Sequence, residues 1–168
     1  MDDYIIVDGY NVINAWPELD KIKQTGFGHA RAKLIELLAN YAAMKAKRII
    51  VVFDAHQTKG KSRYFKVVDG VQVIYTKSGE TADSLIEKLS GELSVENNVY
   101  VVTFDWAEQR IVLGRGAFRL TPDELMDMLA RAREERRKLY GHSLPEERYL
   151  EDRLDENIWL VLDKYRRK

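Results

Sequence analysis

The chain has 168 residues, 27 Lys+Arg, 27 Asp+Glu, a formal net charge of zero at pH 7 and no cysteine. The charge balance excludes a strongly basic coat, and the missing thiols exclude disulfide scaffolds, zinc ribbons and cysteine nucleophiles. Apolar residues make up 45%, enough for one hydrophobic core, so a single globular domain over residues 1–168 is expected.

The start, Met1-Asp2-Asp3-Tyr4, is acidic and lacks the basic stretch of a signal peptide. The longest strongly apolar run, residues 49–53, is far too short to span a bilayer. The expectation is a cytoplasmic protein with no membrane partner. Residues 4–7 form the first predicted strand. Asp8-Gly9-Tyr10-Asn11 follows, with a carboxylate, a flexible glycine and a side-chain amide in four residues. Asn11 is read as holding Asp8 or a phosphate oxygen, or as capping a short helix. Leu34, Leu37, Leu38 and Tyr41 recur at helical spacing, which predicts a helix over residues 29–47. Residues 49–53, 71–75 and 99–102 are three more short, β-branched strands, and residues 117–120 read as a further short one. Most are near-continuous apolar runs, as in parallel strands buried on both faces. Thr81 opens a helix carrying Leu85, Ile86, Leu89 and Leu93 on one side. Thr121-Pro122-Asp123-Glu124 reads as a capped helix start, with Pro at the first position. The charge run at residues 131–138 reads as a solvated helix face, residues 140–143 as a hinge, and residues 145–165 as a last amphipathic helix. Strands alternating with helices predict an α/β fold with a mostly parallel sheet.

Ligands of open α/β sheets bind beyond the carboxyl ends of the strands. Asp8, Asp54 and Asp105 each follow a different strand. Glu80 and Asp83 are three apart, so at a helix start they would face one side. Five converging carboxylates raise one another's pKa unless a cation offsets them. Hard oxygen donors suit Mg²⁺ or Mn²⁺, which activates water for phosphodiester hydrolysis.

With these residues in view, IIVDGYNVI, VVFDA, SGETADSLIE and VVTFDWAEQR, in that order, resemble the NYN-domain family of PIN-like ribonucleases, most closely its YacP-type branch. The resemblance runs from Asp3 to about Leu129 and extends less distinctively into the tail. It implies a PIN-like three-layer α/β/α sandwich with a C-terminal helical extension and a metal-dependent endoribonuclease activity. Asp8, Asp54, Asp83 and Asp105 would match the metal-holding acids, Glu80 the companion acid at the helix start, and Asn11 the amide of the DGYN motif. It also implies a ribosome partner and cleavage of mRNA in the ribosomal A site. One departure is Phe104, where many PIN-like proteins carry a small residue such as Ser; Thr103 is the nearest hydroxyl.

Charge is unevenly spread: residues 45–77 carry net +6 and residues 78–130 net −6. Residues 56–66 read as a basic loop directly after Asp54. There Lys59, Lys61, Arg63 and Lys66 would meet RNA phosphates and Tyr64 or Phe65 would stack on unpaired bases. Arg110 is read as reaching a phosphate or balancing the acids, and Glu87 as solvated or touching a metal-bound water. Two other classes stay open: a non-catalytic RNA- or ribosome-binding module, and an aspartyl-phosphate protein. The second uses an acid pair close in sequence, which Asp8-Gly9-Tyr10 does not offer.

Overall fold

The computed structural model describes residues 2–55 and 64–140. The element order is β1 (Asp3–Asp8), α1 (Gly9–Ala15), α2 (Pro17–Lys23), α3 (Phe27–Lys45), β2 (Arg48–Phe53), β3 (Tyr64–Val68), β4 (Val71–Tyr75), α4 (Ala82–Leu93), β5 (Asn98–Val102), α5 (Trp106–Gly114), β6 (Phe118–Leu120) and α6 (Pro122–Tyr140). The six strands form one sheet in the order β3-β4-β2-β1-β5-β6, antiparallel only between β3 and β4. β1 lies at the centre because both its faces are apolar. Ile5 and Val7 pack under α1, α3 and α6, while Ile6 packs under α4. All three are 1% exposed or less, which no half-solvated strand allows. This is the three-layer, PIN-like α/β/α sandwich that the family resemblance implies.

The expected helix over residues 29–47 is α3, shifted two residues earlier. It stops where Ala46 takes a left-handed conformation (φ 51°), so Lys47 lies outside it and pairs instead with Asp3. The Thr81 and Thr121 starts hold. Ser84 N–H donates to Thr81 Oγ1 at 3.1 Å. Thr121 and Glu124 form a reciprocal capping box at 3.0 and 3.1 Å. The 131–138 charge run is the solvated end of α6, pinned by Lys45–Glu135 at 2.5 Å. The expected helix at 145–165 and residues 141–143 of the hinge lie outside the described residues.

Two expectations are corrected. Residues 64–66 are not loop: Tyr64, Phe65 and Lys66 begin β3, an edge strand paired with β4. The cause is Asp69-Gly70, both at positive φ (49° and 86°), which closes a two-residue hairpin. Glycine freedom is also not the reason for Gly9. It is buried in the first turn of α1, and a Cβ there would meet the Phe53 ring at 2.3 Å. Gly9 is glycine because α1 and β2 approach too closely for any side chain.

Alanine at position 9 favours the helix by about 1 kcal/mol over glycine. Overpacking against a fully buried ring costs about 1–3 kcal/mol. Gly9→Ala is therefore expected to lower the urea midpoint. An equal or raised midpoint would mean that Phe53 gives way freely.

Candidate active site

Parallel pairing of β2, β1 and β5 puts three acids side by side. Asp8 ends β1, in register with Val52 of β2, and Asp54 follows Phe53 directly. Val7 is in register with Val102 of β5, and Asp105 lies three residues beyond it. β1 is also the switch point of the sheet, since the chain moves from it to β2 on one side while β5 closes the other. Open α/β sheets bind their ligands at such a switch point.

Each acid is set at a helix N-terminus. Asp8 Oδ1 accepts the Asn11 N–H at 3.4 Å and caps α1. Asp54 Oδ2 accepts the Ala82 N–H, the first of α4, at 3.3 Å. Asp83 stands in the first turn of α4. Asp105 Oδ1 accepts the Ala107 N–H at 2.9 Å, at the start of α5. Orphan N–H groups and the positive helix ends favour negative charge at all four places.

That support does not cancel the repulsion at Asp8. Burial raises its pKa, the Asn11 N–H lowers it, and Asp83, Asp54 and Asp105 each raise it, with a net result of about 7. The four aspartates thus act electrostatically on one point. Glu80 stands apart. It precedes the Thr81 cap, so it is not on the helix turn with Asp83, and its Oε1 accepts the Lys77 N–H at 3.5 Å. Glu87 pairs with Arg115 at 2.7 Å. Among the described residues, no three His, Asp or Glu side chains form a closed ligand set for a metal.

Asn11 is not the helix cap; Asp8 is. The Asn11 Oδ1 accepts the Phe104 N–H at 2.7 Å and ties the Asp8 loop to the Asp105 loop across 93 residues of sequence. The β5 loop is braced further. Asp105 N–H donates to Thr103 Oγ1 at 3.0 Å, and buried Gln109 donates to the Thr103 carbonyl at 2.6 Å. On the β2 side, Thr76 Oγ1 accepts the Ala55 N–H at 2.8 Å. A row of rings, Phe27, Tyr10, Phe53 and Tyr75, backs the site with centroids 5.1–5.5 Å apart. Arg31 donates to the Tyr10 hydroxyl at 2.9 Å. Thr76 and Arg31 carry no motif signal, and the position of Gln109 inside VVTFDWAEQR does not show its role; their hydrogen bonds reveal all three. Lys66 is half-buried on β3, while Lys59, Lys61 and Arg63 lie outside the described residues.

A PIN-like sandwich with Asp8, Asp54 and Asp105 after adjacent strands and Asp83 at the start of α4 defines the class of this protein. The model of the YacP-like NYN domain matches residues 5–167, and the chain belongs to that family. It is 43% identical over 125 residues to the "Uncharacterized protein YacP" of Bacillus subtilis (strain 168), covering 74% of this chain and 73% of that one. It is also similar to the crystal structure of Rae1 (YacP) from Bacillus subtilis, with a TM-score of 0.70, 38% identity, and 99% and 95% of the two chains covered. A point mutant of that protein matches with a TM-score of 0.69, 37% identity, and 85% and 86% coverage. Membership supports a nuclease-like, RNA-related function. Among the described residues, no helix is long and apolar enough to cross a membrane.

An acid whose pKa is higher folded than unfolded binds its proton more tightly when folded. Folding then takes up protons between about pH 4 and pH 7, and stability falls as pH rises through that window. For Asp8 the loss is up to about 4 kcal/mol above pH 7. In urea titrations with chelator present, Asp8→Asn is expected to be more stable than the parent at pH 8. The gap should close toward pH 4. A gap of constant size would show that the Asp8 charge is not its source.

Proposed function

We propose that this chain is a Mg²⁺- or Mn²⁺-dependent endoribonuclease centred on Asp8, Asp54, Asp83 and Asp105. The observation that supports it is the buried Asp8 carboxyl, pushed to about 7 partly by three other aspartates at a sheet switch point. Such a group favours either a proton or a cation. The donors are all hard carboxylate oxygens on braced backbone, which fits a divalent ion that keeps several waters and binds substrate phosphate. When bound, the ion would supply positive charge for the phosphate and a more acidic water.

The chain's own residues then have separate tasks. Asp8 is the innermost of the four, and Asp54, Asp83 and Asp105 complete the donor set around it. Glu80, half-buried just before the Thr81 cap of α4, would serve as the companion acid to the four. Asn11 commits its Oδ1 to Phe104 N–H, which leaves Nδ2 to donate to a phosphate oxygen. Lys59, Lys61 and Arg63, with Lys66 and Tyr64 at the start of β3, would bind the RNA backbone and bases. By resemblance to the YacP-type branch, the substrate is mRNA on the ribosome, cut in the A site in the cytoplasm.

Asp83→Ala and Asp8→Ala should each abolish Mg²⁺- or Mn²⁺-dependent RNA cleavage while keeping the parent circular dichroism spectrum. Full activity in either refutes the assignment. RNA binding with no metal-dependent cutting by the parent would favour the non-catalytic module. Changing Lys59, Lys61 and Arg63 together to Ala should weaken RNA binding and flatten its salt dependence. Each lost phosphate contact removes about 0.7 from the log–log slope on single strands. An unchanged slope removes this loop from the interface.

A further inference from the structure

We propose that Phe104 is the platform on which an unpaired RNA base stacks beside the acidic centre, so that the site takes RNA that is single-stranded there. The proposal rests on the nuclease reading above and specifies its substrate.

Phe104 lies between buried Thr103 and the site residue Asp105, and 47% of it is exposed. It belongs to neither hydrophobic cluster, and no ring of a described side chain stacks on it. A phenyl ring in water forgoes burial energy. Yet the backbone beneath this one is more firmly held than a mere surface position needs. Its N–H is fixed by Asn11 at 2.7 Å. The Thr103 carbonyl is fixed by Gln109 at 2.6 Å, and the Asp105 N–H by Thr103 Oγ1 at 3.0 Å. Asn11 is three residues from Asp8, so the ring is tied to the element carrying the innermost acid. A ring on a fixed backbone loses little freedom on binding, which is what a stacking platform requires.

The next turn extends the surface. Ala107, Arg110 and Ile111 are exposed on α5, and spacings of three and four place them on one side of the helix. An aromatic face followed by a cation one turn along matches the alternation of base and phosphate in a single strand. An A-form duplex keeps its base faces stacked inside and offers none to such a ring.

The test uses the full chain with Mn²⁺ and a single-stranded RNA oligonucleotide carrying 2-aminopurine at successive positions. Phe104→Ala and Phe104→Leu should raise KM about ten-fold, the lower range of a lost base–aromatic stack, with kcat within about three-fold. Phe104→Trp should keep the parent KM. The 2-aminopurine signal at one position should change on binding the parent and not on binding Phe104→Ala. The same sequence as a duplex should be a poor substrate for the parent. Equal KM in all four proteins overturns the proposal, and so does Phe104→Leu matching the parent, since a leucine packs but does not stack. If Asp83→Ala is inactive and Phe104→Ala is unaltered, only this proposal falls. If Asp83→Ala still cuts while Phe104→Ala binds weakly, only the nuclease assignment falls. A parent that neither binds nor cuts the oligonucleotide overturns both.

Discussion

Asp8, Asp54 and Asp105 follow three adjacent strands and Asp83 opens α4, and the burial of the Asp8 carboxyl among these charges is the constraint around which the site is arranged. Asp8 has the least room, because it ends a strand inside the sheet and the residue is only 9% exposed. The fold offsets the charge with helix N-termini: α1 starts at Asp8, α4 at Asp54 and Asp83, and α5 at Asp105. Exposed charge at a helix N-terminus gains about 0.3–1 kcal/mol, and more when partly buried. Three such ends are comparable with the cost of burying one carboxylate but do not exceed it, since Asp8 remains raised to about 7. On the proposed reading, that residual imbalance is what would draw a cation, because a fully neutralised cluster would have no affinity left for an ion.

The imbalance persists only if the acids cannot move apart. Three braces oppose that, at the β1–β2, β1–β5 and β2–β4 intervals of the sheet. Gly9 lets α1 lie against Phe53, so the β1 and β2 ends approach closely. Asn11 Oδ1 and the Phe104 N–H hold β1 to β5. Thr76 and Ala55 hold β2 to β4, and the α4 start then returns to Asp54. Trp16 adds a more distant tie, its buried indole donating to the Pro122 carbonyl at 2.9 Å and fixing α6 over the same helices. The DGYN sequence therefore holds three structural duties besides the acid: a cap, a close approach and an inter-strand tie.

The central strands were legible because burial on both faces leaves a continuous β-branched run that no helix face reproduces. Asp8, Asp54 and Asp105 were legible as the first charged residues after those runs, and Asp83 by its place behind the Thr81 helix start. The Thr81 and Thr121 caps were legible because capping is local. β3 was not, because its basic neighbours look like loop; its signal was Asp69-Gly70, a hairpin turn set directly between Val68 and Val71. α1 and α2 have seven residues each, too few to establish a period, and are stabilised by tertiary contacts such as Trp16. The partnership of Asn11 with Phe104 could not be read at all. It depends on β1 and β5 being neighbours, and strand order is a property of the whole sheet.

The zero net charge conceals a division of labour that topology makes physical. Ala55 follows Asp54, and Tyr64 is in register with Tyr75, which is itself in register with Phe53. Ala55 and Tyr64, the residues that flank the basic segment 56–63 in sequence, therefore both lie at the sheet end that holds the acids. A phosphate approaching four aspartates is repelled unless positive charge is supplied close by. Cations inside the cluster would compete with a metal for the same oxygens. Cations beyond its edge do not, and within a Debye length of about 8 Å they still lower the barrier to a polyanion. On the proposed reading, a chain that must hold both a metal and RNA needs opposite charges next to each other but not mixed. A net charge of zero is then the sum of two strong local fields, not the absence of one.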